Sequence, residues 1–151
     1  MSDRSVRSER TGWRDEWISN RHRAWGWDCP MVDIDFLAAE YDQAKVVAVI
    51  EYKAAGAPIH DFTKANYRTL IGMSETLKVP FAVVRYHPTQ SLFYVIPGND
   101  RAKFAFTNQK IISEFEYVEQ LYRLRKRETP EAIASQLSRQ NVLLTKNAAS
   151  E

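Results

Sequence analysis

The stretch that most constrains this chain runs from Met31 to Lys53: Met-Val-Asp-Ile-Asp-Phe-Leu-Ala-Ala-Glu-Tyr-Asp-Gln-Ala-Lys-Val-Val-Ala-Val-Ile-Glu-Tyr-Lys. Two β-rich apolar runs flank a polar break at Asp42-Gln43, which predicts a hairpin with strands at Val32–Ala39 and Val46–Lys53. Neither Asn-Gly nor Asp-Gly marks the turn, so its type stays open. The unbroken apolar run Val46–Ile50 suits a strand covered on both faces, and it stops abruptly at Glu51-Tyr52-Lys53. Side chains alternate along a strand, so Glu51 and Lys53 share a face, and so do Asp33 and Asp35. A turn centred on Asp42-Gln43-Ala44 puts Asp35 opposite Glu51 and Asp33 opposite Lys53, with Cβ atoms roughly 5 Å apart across each pair. Three acids and an ammonium then meet at one end of a largely apolar hairpin. Carboxylates this close repel each other unless positive charge separates them. A hard divalent cation suits that place, because Mg²⁺ takes one or two carboxylates, keeps several waters and accepts phosphate oxygens. A slip of one residue in register would turn Asp35 away from Glu51.

The rest of the chain supplies a mixed domain around this hairpin. A helix is expected from Thr11 to about Gly26, with Trp13, Trp17 and Trp25 near helical spacing. Trp13 and Trp17 read as a core stripe in preference to a base-stacking pair. Glu16 on this helix either projects towards the hairpin acids or is solvated, as most helix glutamates are. Asp61 is a candidate N-cap for a helix from about Phe62 to Leu77, with Ala65, Leu70, Met73 and Leu77 as its apolar positions. Strands follow at about Phe81–Tyr86 and Leu92–Ile96, and a short one at about Lys103–Phe106. Ser113 with Glu116 makes a capping box for a helix to about Lys126. Thr129-Pro130 opens a last short helix through Leu137. The expected layout is a flexible lead over residues 1–10, one domain over 11–140 and a flexible tail over 141–151. The fold class is α/β (α+β), a sheet sandwiched by helices.

Composition excludes several function classes. At 151 residues the chain suffices for one proper core, and a net charge of +2 does not by itself announce a nucleic-acid partner. The single Cys29 rules out an internal disulfide framework and fits a reducing compartment. No apolar run approaches a membrane span and no secretory signal opens the chain, so a cytoplasmic protein without a membrane partner is expected. His60 and His87 lack zinc-site spacing, and Cys29 has no base partner.

An acid, a strand, a turn, a strand ending in Glu-x-Lys, then a helix and an apolar strand together resemble the PD-(D/E)XK nuclease superfamily. The residues that carry the resemblance are Asp35 and, sixteen positions on, Glu51-Tyr52-Lys53, followed by Pro80-Phe81-Ala82-Val83-Val84. It spans about Thr11 to Ile96. Glu-x-Lys alone arises by chance in roughly half of chains this long, so the weight lies in its place at the end of an apolar strand that faces a second acid. The family's Pro-Asp dipeptide is absent, since Pro30 stands five residues before Asp35, which leaves Asp33 as a rival first acid. The resemblance implies a restriction-endonuclease-like mixed sheet flanked by helices and Mg²⁺- or Mn²⁺-dependent hydrolysis of DNA. It implies metal ligation by Asp35, Glu51 and the Tyr52 backbone carbonyl, with Glu16 and Asp33 as further candidates. Lys53 would assist the attacking water, and Lys64, Arg68 and Arg85 are placed as phosphate contacts by proximity in sequence. A homodimer is left open. Two other readings stand beside this one: an inactive nuclease-like module that binds nucleic acid, and a protein-interaction domain whose acids are incidental.

Overall fold

Alternating burial along a single strand sets the layers of this protein. The computed structural model describes residues 16–25, 32, 34–59, 61–106 and 111–148, in two compact units, Met1–Val32 and Asp33–Glu151. The boundary falls inside the 11–140 span that the sequence pattern treats as one domain.

In the first unit the described element is α1 (Glu16–Ala24). Trp17 is exposed on it, with the Arg21 guanidinium 5.9 Å from its ring centroid. The expected core stripe is therefore not formed at Trp17. Its neighbour one turn on is a cation, so that helix face is polar. Trp13, Gly26 and the lead over residues 1–10 lie outside the described residues.

The second unit is a five-stranded mixed sheet in the order β1-β2-β3-β4-β5, so the α+β class expected from sequence holds. The strands are β1 (Phe36–Glu40), β2 (Lys45–Ala54), β3 (Phe81–His87), β4 (Leu92–Pro97) and β5 (Ile111–Ser113). β2 and β3 are parallel, and the other three pairings are antiparallel. Parallel neighbours need a crossover, and α2 (Ala65–Leu77) provides it. Ala48, Ile50, Ala82, Val84 and Val95 turn to one face, where Ala102 of α3 (Asp100–Ala105) and Tyr117 of α4 (Glu114–Leu124) close a core. Val49, Phe81 and Val83 turn to the other face and are buried on the side of α2, whose Tyr67 ring sits 6.2 Å from Phe81. Coverage on both faces is what the apolar run Val46–Ile50 predicts, and it is complete at Ala48, Val49 and Ile50.

Several boundaries differ from the sequence expectation. Strand β1 begins at Phe36 instead of Val32, because the Asp35 side chain, not a strand backbone, takes the Tyr52 N–H at 3.1 Å. The turn is a 3₁₀ turn at Tyr41–Gln43 that ends in Ala44 with φ 48°. Helix α2 begins at Ala65, since Asp61 instead closes a local turn by accepting from Thr63 N–H. Lys103–Phe106 is not a strand. Asn99 caps α3 there by accepting the Ala102 N–H. The short strand β5 has no counterpart in the sequence reading. Ser113 and Glu116 do form the expected capping box at the start of α4. Helix α5 (Glu131–Ala148) continues past Leu137 into the stretch expected as a tail.

Asn99 joins two elements. Its Oδ1 accepts from Phe81 N–H and Ala102 N–H, and its Nδ2 donates to the Val79 carbonyl, all at 2.9–3.0 Å in a buried setting. Asn99→Ala would remove a helix cap and strand three backbone groups. We expect a loss of about 2–4 kcal/mol in a urea titration with unchanged slope. A loss below ~1 kcal/mol would mean that water replaces these bonds.

Candidate functional site

The end of β2 combines three positions that alternation sends in two directions. Val49 and Ala55 donate their N–H groups to Pro80 and Tyr86 on the β3 side. Backbone groups of odd-numbered β2 residues therefore face β3, and those of even-numbered residues face β1. Tyr52 is even, and its N–H duly reaches Asp35 Oδ2 at 3.1 Å. Its carbonyl points to the same side, just beyond the point where β1 pairing starts. Its side chain goes to the α4 face, where its hydroxyl lies 2.5 Å from the Tyr117 hydroxyl. Burial pushes both phenols up, Tyr117 far above the usual tyrosine range. Phe93 stacks on the Tyr117 ring with centroids 4.7 Å apart. The central residue of Glu-x-Lys is thus an anchor in the core.

Glu51 and Lys53 turn to the opposite face. Phe36 pairs with Ile50, so the next step outward sets Asp35 across from Glu51, as the hairpin argument expects. Lys53 Nζ lies 2.7 Å from Glu51 Oε1, and the Glu51 side chain is only 13% exposed. Burial raises the Glu51 pKa above its ordinary value of 4.5, the Lys53 hydrogen bond opposes that, and the nearby Asp35 charge raises it further. The Lys53 pKa is raised, chiefly by its hydrogen bond to Glu51. The cluster sets two carboxylates, Glu51 largely buried and Asp35 exposed, beside the Lys53 ammonium, which is paired with Glu51.

A residue missed by sequence reasoning completes the cluster. Tyr67 on α2 is 4% exposed and its hydroxyl has no hydrogen-bond partner. Burial raises its pKa, the Lys53 charge opposes this, and the Glu51 and Asp35 charges add to it. Leaving such a hydroxyl unpaired costs about 1–3 kcal/mol. The signal was the spacing Tyr67, Leu70, Ser74, which is the stripe this helix buries; of the expected positions Leu70 is buried, whereas Ala65 and Leu77 are exposed.

The cations expected at phosphates are spread over this side. Arg85 pairs in register with Lys53 on the adjacent strand, so the two side chains share a face and stand about 5 Å apart at the backbone. Lys64 is the N-cap of α2 and Arg68 follows one turn later, both exposed. Asp33, His60 and Cys29 lie outside the described residues, as does the Glu16 side chain. His87 Nδ1 is 3.0 Å from the Thr89 hydroxyl. A groove of about 290 Å³, lined by Phe36, Ala38, Ile50, Tyr52, Leu121 and Tyr122 among others, opens on the α4 face, away from the carboxylates.

Among the described residues no group of three or more His, Cys, Asp and Glu side chains converges on a metal-sized space. The oxygen donors brought close together are the Asp35 and Glu51 carboxylates, with the Tyr52 backbone turned to the β1 side where Asp35 lies. That all-oxygen set fits Mg²⁺, which needs few protein ligands and keeps its waters.

The raised Glu51 carboxyl makes a checkable pH statement. The native carboxyl holds its proton more tightly than the unfolded chain does. Its contribution to stability is therefore fully present below about 4.5 and is lost as pH rises through the raised native value. In metal-free protein, carbon-detected NMR should show Glu51 titrating above ordinary glutamates, and Asp35→Asn should bring its midpoint down. An unchanged midpoint would mean that the two carboxylates do not sense each other. No protein-family model, curated protein or solved structure matches this chain.

Proposed function

We propose that this protein hydrolyses DNA phosphodiester bonds with a divalent cation, Mg²⁺ or Mn²⁺, held between Asp35 and Glu51. The observation that carries the reading is the register of β1 and β2, which sets Asp35 across from Glu51 at the edge where the Tyr52 backbone is turned outward. The approach of a second carboxylate, Asp35, to the already paired Glu51 supports it, as does the Glu51 carboxyl raised by burial and by Asp35. A cation bound there supplies polarisation of a phosphate oxygen and a water of lowered pKa.

The chain's own residues then have separate roles in the proposal. Asp35, oriented by the Tyr52 N–H, and Glu51 would hold the cation with their carboxylates. With Glu51 so engaged, Lys53 would be free of its ion pair. Lys53 donates to the attacking water or to a phosphate oxygen, where a positive group stabilises the charge that develops. Arg85, beside Lys53 on the next strand, with Lys64 and Arg68 at the start of α2, would contact backbone phosphates, which position a substrate without reading its sequence. Among the described residues no helix is long and apolar enough to cross a membrane.

A structural reading of the same residues rests on the Glu51–Lys53 ion pair at 2.7 Å. One variant separates the two. With closed-circular DNA and Mn²⁺, Lys53→Ala should bind the metal at least as well as the parent, because a like charge has gone, and melt at a similar temperature. It should cleave about 100-fold more slowly. Asp35→Ala should lose both metal binding and cleavage with its fold intact, and EDTA should stop the parent. A Lys53→Ala protein that melts early but cleaves at the parental rate would favour the ion-pair reading.

A further inference from the structure

The Tyr67 hydroxyl is a buried polar group with nothing to bond to, and it sits among the charges of Lys53, Glu51 and Asp35. Its ring is held in place by Phe62, at 5.6 Å, and Phe81, at 6.2 Å between centroids. Helix α2 carries it on the face of the sheet that Phe81 shares, by register, with Glu51 and Lys53. A phenol has one hydrogen to give and lone pairs to accept with, whereas an ammonium only donates and an ionised carboxylate only accepts. Of the three charged neighbours, Lys53 alone can donate to the Tyr67 oxygen. Among the described residues the Lys53 ammonium has one hydrogen-bond acceptor, Glu51 Oε1, and two of its N–H groups remain.

We propose that Tyr67 is a positioning residue for Lys53: its buried oxygen is the acceptor that holds the ammonium over the reacting phosphate when the Glu51 carboxylate turns to the divalent cation. The role rests on the hydrolase reading given above. In the structure Glu51 occupies Lys53, and the phenol hydroxyl has no hydrogen-bond partner. Once the carboxylate is engaged elsewhere, a four-carbon lysine stem with no acceptor would swing freely. The Tyr67 oxygen, fixed by two aromatic rings, limits that swing, and its O–H is left for a carboxylate oxygen. The helix that bridges the parallel strands thereby contributes a group to the site that β1 and β2 build.

Tyr67→Phe tests this with little risk to the fold, because it removes only an oxygen that is unpaired in the metal-free protein and keeps both ring contacts. The measurements are Mn²⁺ affinity by calorimetry, melting temperature, single-turnover cleavage of closed-circular DNA at saturating Mn²⁺, and acylation of Lys53 by an amine-reactive ester followed by mass spectrometry. We expect unchanged Mn²⁺ affinity, an equal or higher melting temperature, and cleavage slower by about 10- to 100-fold. We also expect faster acylation of Lys53 in the variant than in the parent when Mn²⁺ is present. In a Lys53→Ala background the same substitution should have no further effect on rate, since the group it positions has gone. Parental cleavage and parental acylation in Tyr67→Phe would overturn the role of Tyr67 and leave the hydrolase reading standing. So would a rate loss that adds in full to that of Lys53→Ala. A parent that neither binds Mn²⁺ nor cleaves would overturn the hydrolase reading, and the role of Tyr67 with it.

Discussion

Everything proposed for this protein depends on one register, the pairing of β1 with β2, and that register changes along the hairpin. Beside the turn, Glu40 pairs with Lys45 and Ala39 with Val46. Continued without interruption, that pairing would bring Asp35 opposite Ile50 and turn it to the α4 face, because a shift of one residue exchanges the faces of a strand. Between Ala38 and Ala39 the pairing is irregular, and from Ala38 onward the partner is one residue further along, Ala38 with Ala48 and Phe36 with Ile50. Val47 is the extra residue of this bulge. It lies within the apolar run, yet it carries Asp35 back to the side of Glu51. Bulges commonly re-aim side chains in this way next to functional sites.

Beyond the bulge, β2 has to serve two purposes within a few residues. Ala48, Val49 and Ile50 are buried on both sides and hold the sheet between its helices. Two positions later the same strand turns a carboxylate and an ammonium to one face and a tyrosine to the other. The Tyr52 ring packs edge-on against Phe36, at 5.1 Å, and its hydroxyl meets Tyr117 of α4. That anchor fixes the backbone from which Glu51 and Lys53 project and the N–H that orients Asp35. At the far end of β1, buried Glu40 ties the strand to the end of α4 through Arg125 and Arg127, the latter at 2.6 Å, and Arg125 above all holds the Glu40 carboxyl below its usual range. The hairpin is thus pinned at both ends, which allows the proposed site to hold its acids against their mutual repulsion.

Much of this was legible in the sequence, and the exceptions have physical reasons. The opposition of Asp35 and Glu51 follows from counting outward from a turn centred on Gln43, yet the turn itself pairs one residue differently. The count succeeded because the bulge supplies the missing residue, and nothing in Val46-Val47-Ala48 announces it. The capping box at Ser113 and the strands at Phe81 and Leu92 are local signals, and they survive folding because tertiary contacts do not compete with them. Lys103–Phe106 reads as a strand by composition, but Asn99 spends its side chain on Phe81, Val79 and Ala102 and so starts a helix three residues earlier. Tyr67 was hidden for a different reason. A tyrosine in a helix carries no charge and no motif, and its place over Glu51 and Lys53 is a product of the crossover geometry between two parallel strands.

The ion pair and the proposed cation site are alternatives for the same charge. Asp35 brings a second carboxylate beside Glu51, whose charge burial already disfavours, and Lys53 supplies a single positive charge in return. Lys53 therefore does for the metal-free protein part of what a divalent cation would do in full. It lowers the cost of the carboxylates enough for the hairpin to form, but it cannot neutralise both. A purely structural pair has no need of the second acid, since one glutamate and one lysine would balance alone. Asp35, held by the Tyr52 N–H at the edge of the strand, is the residue that such an account leaves unexplained. Its presence beside an already paired Glu51 is the reason to look for a cation there, and the unpaired Tyr67 hydroxyl on the same face of the sheet is the reason to expect that the ammonium has a second place to go.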